Sequence, residues 1–256
     1  MNLGMGMSNW KVAVISDIHG NCGALEAVLQ DIHRRRVDAI VNLGDSLYGP
    51  LDPAGTARLL RQEHIFCIRG NEDRLLINDQ GQASDSPSLD YTRAQLSAED
   101  FAWLGSLKPT AVVAEAMFLC HGTPARDDEY LFENVGPEGA YLKSFREISA
   151  ILVSVKQPLI LCGHSHVFRT IDLGAGKRVV NAGSVGLPAY CDHNPFMHCM
   201  ESGTPHAKYV LLTNGKSGWT AQLVPVAYDW QSAAEMARKN GRPDWSEWLQ
   251  SGRAGS

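Results

Sequence analysis

Apolar residues run unbroken in some stretches of the chain and recur at helical spacing in others, and the two patterns alternate. "WKVAVIS" is a Val- and Ile-rich run that stops at Asp17, after which Leu25, Val28, Leu29 and Ile32 recur at helical spacing between Gly23 and Arg36. The sequence predicts strand, loop and helix there. "DAIVNLGD", "PAGTARLLRQE" and "HIFCIRGN" repeat the order as strand, helix and strand, the two strands ending in Gly44-Asp45 and Gly70-Asn71. Such alternation predicts parallel β-α units.

Further along, "EDRLLIN" and "SAEDFAWLGSL" predict helices, the second opening with a Ser-x-x-Asp cap pattern. "TAVVAEAMFLCHG" predicts a hairpin ending at His121, and "GAYLKSFREISAILVS" a helix. "PLILCGHSH", "RTIDLG", "RVVNAGSVG", "YVLLTN" and "TAQLVPV" predict successive strands. The expected fold class is α/β, with two sheets packed together and helices outside. A chain of 256 residues is expected to form a single domain, 1–256. The polar stretch Leu187 to Lys208, interrupted by prolines, is expected to be a long loop, a kind of segment that usually carries function. From about 229 to 256 the sequence predicts a helical tail, with Trp245, Trp248 and Leu249 on the face that docks on the body; no chemistry is assigned to it.

Composition narrows the function. A net charge of -5 with both signs interspersed gives no broad basic face, so no nucleic-acid-binding surface is expected. Arg34, Arg35 and Arg36 close a helix, where cations suit the negative end of its dipole. The best apolar run, "ISAILVSVKQPLILCG", is cut by Lys156, Gln157 and Pro158, which predicts no membrane span. The first ten residues do not read as a signal peptide, and a cytoplasmic protein is expected. Cys67, Cys120 and Cys162 lie in strand-like runs as small reduced hydrophobes, with no disulfide framework expected.

The predicted strand ends carry the chemistry. Asp17 and His19 follow the first strand, Asp45 the second, Asn71 the third, His121 a later one, and His164 with His166 the next. All offer oxygen or nitrogen ligands to a metal, at the sheet edge where α/β proteins place their sites. On an extended chain His164 and His166 would point to the same side. Each motif alone is weak, but their ordered, shared context predicts one metal site.

"SDIHGN", "NLGD", "RGNED", "LCHG" and "CGHSH" together resemble the ordered motifs of the calcineurin-like metallophosphoesterase superfamily, over about residues 12 to 190. "GDSLYGP" and "NAGSVGLPAY" resemble its small bacterial and archaeal phosphodiesterase branch, often likened to diadenosine tetraphosphatases. The resemblance implies an α-β-β-α four-layer sandwich of two mixed β-sheets flanked by helices. It also implies two divalent transition-metal ions, manganese first, with iron, zinc, nickel or cobalt as alternatives. Asp17, His19, Asp45 and His166 would hold one ion and Asp45, Asn71, His121 and His164 the other, with a hydroxide shared between the ions attacking phosphorus in line. The implied substrates are small phosphoesters or nucleotides.

One position departs from the family pattern: where many members have His after Gly-Asn, this chain has Glu72. Glu72 would act as a proton donor only if an apolar or acidic setting such as Asp73 kept it protonated; otherwise it points to solvent or pairs with Arg74. Asn71, Glu72 and Asp73 are therefore the candidate catalytic residues. Arg69, Asn21 and Asn42 flank the ligand positions, and His193, His198 and His206 lie in the long stretch that would lid the site. The spacing of Cys191, His193, His198 and Cys199 fits none of the common zinc patterns. A protein phosphatase shares the metal motifs, but its "GDxVDRG" and "GNHE" forms are not matched. A non-catalytic protein-binding scaffold is the alternative from another class, and a scaffold has no need for an uninterrupted ligand set.

Overall fold

Val12 and Val14 face one apolar core while Ala13 and Ile15 face another, the period-2 alternation of a strand buried on both sides. The computed structural model describes residues 10–78, 86–216 and 218–254; apart from Trp10, the stretch read for a signal peptide lies outside them. That strand, β1 (Lys11–Ile15), is followed by α1 (Cys22–Arg35), β2 (Ala39–Asn42), α2 (Pro53–Gln62), β3 (Ile65–Cys67) and α3 (Asn71–Ile77). Next come α4 (Pro87–Gln95), α5 (Ala98–Ser106), β4 (Thr110–Val113), β5 (Met117–Cys120), β6 (Glu133–Gly136), β7 (Gly139–Leu142), α6 (Phe145–Ile151) and β8 (Leu159–Cys162). The chain continues through β9 (Arg169–Gly174), β10 (Lys177–Asn181), β11 (Ala189–Asp192), β12 (His198–Glu201), β13 (Ala207–Gly215) and β14 (Gly218–Val226) to α7 (Trp230–Lys239) and α8 (Pro243–Ser251).

Two mixed five-stranded sheets result, ordered β14-β13-β1-β2-β3 and β4-β5-β8-β10-β9. In the first, β1, β2 and β3 run parallel; in the second, β5, β8 and β10 do. Val12, Val14, Val41 and Leu43 of one sheet meet Leu119, Leu161 and Val180 of the other in the central core. Leu25, Val28, Leu29 and Ile32 of α1 cover the outer face of the first sheet, and Ile148 of α6 packs with Ile160 and Val179 on the second. Each such buried aliphatic side chain contributes about 1.5–3 kcal/mol. The α/β fold is the one expected.

Three stretches differ from expectation. Leu187 to Lys208 is not one long loop, because β11 and β12 pair within it from Ala189↔Glu201 to Asp192↔His198. These four-residue strands carry polar residues and flank Pro195, so no apolar run announces them. Cys191 faces Cys199 across the pair and the two form a disulfide, where no disulfide framework was expected, and this uses both sulfurs of the weighed zinc set; Cys67, Cys120 and Cys162 are free, as expected. Within "GAYLKSFREISAILVS", the first residues form β7, paired with β6, and the helix begins only at Phe145. A capping box sets that start: Ser144 Oγ accepts from the Glu147 amide at 3.3 Å and Glu147 Oε2 from the Ser144 amide at 2.7 Å. Finally, α4 was not foreseen; Ser86 caps it and Pro87 occupies its first turn.

The same device starts α5, where the Ser97 side chain accepts from the Asp100 amide at 3.2 Å and Asp100 Oδ2 accepts from the Ser97 amide at 2.9 Å. Ser97→Ala is expected to destabilise the protein by about 1 kcal/mol. A urea-unfolding midpoint indistinguishable from wild type would show that the cap contributes nothing.

Candidate metal centre

The parallel strands of both sheets deliver their C-terminal ends to one place. Asp17 and His19 leave β1, Asp45 follows β2, Asn71 opens α3 just after β3, His121 follows β5, and His164 and His166 follow β8. Asp17, His19, Asp45, His164 and His166 all take left-handed backbone, with φ of 53°, 53°, 51°, 70° and 58°. Residues with a Cβ rarely adopt that conformation, and such strain concentrates at functional sites. The two late histidines are therefore not side by side on an extended strand, as alternation predicted. They diverge: His166 joins Asp17 and His19, whereas His164 joins Asp45 and His121, the ligand atoms of each set lying within 4.8 Å of one another.

Backbone carbonyls orient three of the imidazoles. His19 Nδ1 donates to Tyr48 O at 3.1 Å, His121 Nδ1 to Leu43 O at 2.8 Å and His166 Nδ1 to Leu187 O at 2.7 Å. Because a carbonyl only accepts, each Nδ1 carries the hydrogen and each neutral ring presents a bare Nε2. The Nε2 atoms of His19 and His166 face each other at 3.0 Å. Two lone pairs at that distance repel unless a positive charge lies between them. His166 Nε2 is 3.3 Å from Asp17 Oδ1, and His121 Nε2 is 3.0 Å from Asp45 Oδ2. Asn71 Oδ1 is buried with no hydrogen-bond partner in the protein, as is Glu72 Oε2. This nitrogen and oxygen donor set, buried and convergent, fits divalent cations.

Electrostatics agree. Burial opposes charge on His121, yet Asp45 and Asp17 hold its pKa up to about 10. Burial likewise opposes charge on His19, which Glu72, Asp45 and Asp17 raise to about 9. Burial and the neighbouring His121 push His164 down to about 4. Both aspartates stay ionised: despite burial, His166 keeps Asp17 below the usual carboxylate range and His121 does the same for Asp45. The site is thus a nest of carboxylates that attracts positive charge.

Close backbone approach holds Asp45. Its Oδ1 accepts from the Glu72 amide at 2.8 Å, and a Cβ on Gly70 would lie 2.1 Å from that same oxygen. Gly70→Ala is expected to displace the carboxylate and lower phosphoester turnover about 100-fold, the effect of an ångström-scale misplacement. An unchanged rate, with circular dichroism confirming the fold, would show that the position of Asp45 is not critical.

Glu72 does not pair with Arg74, which instead forms two bonds of 2.8 Å with Asp127. Glu72 lines the cleft above these clusters, its Oε2 3.1 Å from His19 Nδ1. Burial, with the charge of Asp45 and against the pull of His19, raises its carboxyl to about 7. Asp73 was grouped with it as catalytic, but the structure turns Asp73 elsewhere. Its Oδ1 accepts from the amides of Ser46 at 2.9 Å and Leu47 at 3.4 Å, and its Oδ2 from Gly70 at 3.2 Å. It ties the β2 and β3 loops together. Asn21 caps α1, bonding Gly186 and Tyr228, and Asn42 bonds Ser46, so both are structural. Arg69 does not line the cleft, His193 does, and His206 stacks on Trp230 instead.

Several cleft residues are given no role in the site by the sequence. The Tyr130 ring lies 4.6 Å from that of His164, its hydroxyl 2.6 Å from that of Tyr190 and 2.9 Å from His198 Nε2. Tyr190 in turn donates to His164 O at 3.1 Å and packs 4.5 Å from His166. The β11–β12 hairpin thereby braces both late histidines. Trp245 of α8 sits edge-on to His19 with centroids 5.7 Å apart.

Residues 10–202 match the family model described as the calcineurin-like phosphoesterase superfamily domain. The chain belongs to the calcineurin-like phosphoesterase superfamily. Its phosphoesterase fold is similar to that of a metallophosphoesterase from Sphaerobacter thermophilus, at 25% identity and a TM-score of 0.75, covering 96% of this chain and 100% of that one. A hypothetical protein from Pyrococcus horikoshii shares the fold at 19% identity and a TM-score of 0.71, covering 96% and 99%. An uncharacterized protein of Methanocaldococcus jannaschii is 26% identical over 264 residues, 91% of this chain and 94% of the relative. Among the described residues no helix is long and apolar enough to cross a membrane.

Proposed function

We propose that this phosphoesterase is a dinuclear metal-dependent hydrolase of phosphodiester or phosphoanhydride bonds in small phosphoesters or nucleotides. The observation that supports this best is the convergence of imidazole Nε2 atoms and ionised carboxylates, with His19 and His166 Nε2 only 3.0 Å apart. Asp17, His19, Asp45 and His166 would hold one cation and Asp45, Asn71, His121 and His164 the second, with manganese the first choice for a site without thiolates. Divalent cations there would acidify water and neutralise the phosphate oxygens.

The chain's own residues do the rest. Asp45 lies between the two clusters, fixed by the Glu72 amide and by His121. Carbonyls of Tyr48, Leu43 and Leu187 keep three rings in one tautomer and one orientation. Glu72, at the cleft wall with a raised pKa, holds a proton at its carboxyl for the departing oxygen. Water is the nucleophile, and no phosphoenzyme forms.

The test is turnover of bis(p-nitrophenyl) phosphate by protein stripped with chelator and then titrated with manganese. Hydrolysis that appears with the metal is expected. No turnover with manganese, iron, nickel, cobalt or zinc would refute the hydrolase reading and favour a binding scaffold.

A further inference from the structure

The cleft above the ligands measures about 730 Å³, within the roughly 300–1,000 Å³ range of pockets that enclose whole organic ligands. A lone phosphoryl group would fill a small part of it. The wall is in part apolar and aromatic: Leu75 of α3, with 42% of its surface exposed, lines the cleft, as do Tyr48, Trp245 and Trp248. The sequence explains how α8 presents that wall. Pro243 starts the helix and Gly252 ends it in left-handed conformation, while Trp245 and Leu249 are buried in a core shared with α7. Trp248 shares their face but lies at its edge, half-buried and open to the cleft. Gly49 lets the wall come close, since a Cβ there would lie 2.9 Å from the Trp245 ring. Trp245 and Trp248 of α8 lie beyond the 10–202 matched by the family model, so this helical part of the wall is not part of what the chain shares with that model.

Charge decides what the wall receives. Among the described residues lining the cleft, Arg242 is the one guanidinium or ammonium. It is already held by Asp244, with Nε–Oδ1 at 2.9 Å and Nη2–Oδ2 at 2.6 Å, and it bonds Ser88 and lies 5.3 Å over the Trp245 ring. Asp192 and Glu72 add acid to the lining. A polyphosphate chain would find no free cation of the protein on this wall, whereas a flat, uncharged ring would find aromatic and aliphatic faces.

We propose that Trp248 and Leu75 form a subsite for a planar aromatic ester group on a single phosphoryl, making Trp248 a specificity-determining residue. This rests on the phosphoesterase reading above. The test is calorimetric binding of phenylphosphonate and methylphosphonate to the manganese-loaded protein. Wild type is expected to bind the phenyl compound about tenfold tighter, as ring stacking plus burial provides. In Trp248→Ala the ratio falls to within about twofold, with the loss on phenylphosphonate, while Trp248→Phe retains most of the preference and guards against misfolding. A wild type that does not discriminate, or an alanine variant with the wild-type ratio, overturns the subsite. Discrimination without turnover of any phosphoester would instead sink the hydrolase reading and leave the subsite standing.

Discussion

Asp45→Ala is expected to reduce metal-dependent hydrolysis of bis(p-nitrophenyl) phosphate to background, well beyond the roughly 10- to 100-fold loss that follows removal of an outer partner of a ligand. Asp45 is the residue that touches the most parts of the site: it faces His121 at 3.0 Å, receives the Glu72 amide at 2.8 Å and lies in clusters with His164 and with His19. Its removal leaves imidazoles from both sheets without their shared counter-charge. The variant should still fold, because the cores on either side of the first sheet are hydrophobic and do not include it. Rates and circular dichroism on the same preparation check this. A folded variant with more than about a tenth of wild-type activity would contradict a shared role for Asp45, since removing a true ligand exceeds outer-partner losses.

Glu72→Gln separates proton donation from metal binding. Glu72 Oε2 lies beside His19, and burial raises the carboxyl to about 7, the direction that favours its protonated form. Glutamine keeps the shape and removes the acid. Turnover of diesters with alkoxide leaving groups is expected to fall about 10²- to 10⁴-fold, while p-nitrophenolate, which needs no proton, leaves at nearly the wild-type rate. Equal losses on both classes would mean that Glu72 supports the His19 cluster instead; no loss on either would remove it from the mechanism.

The cluster of candidate ligands was legible because each member sits one to four residues beyond an apolar run, and parallel β-α units send such ends to one edge. What was not legible depends on partners far away in sequence or on rotation about a helix. Asp73 follows Glu72 directly, yet neighbours on a helix point about 100° apart, so one carboxyl enters the cleft and the other reaches the amides of Ser46 and Leu47. Tyr130 meets Tyr190 across 60 residues, and nothing near either residue signals it. Trp245 and Trp248 were visible as an amphipathic face, but only the docking of α8 against His19 and Gly49 shows that this face also walls the cleft. The β11–β12 hairpin hid behind Pro195 and polar residues, because four-residue strands carry too few positions to show alternation.

The central claim is that these buried donors hold two cations, and metal stoichiometry tests it most directly. Protein equilibrated with manganese, desalted and assayed by plasma mass spectrometry is expected to retain about two equivalents per chain, with Asp45→Ala losing most of both. Retention of no manganese, nor of zinc, iron, nickel or cobalt supplied in its place, would contradict the account.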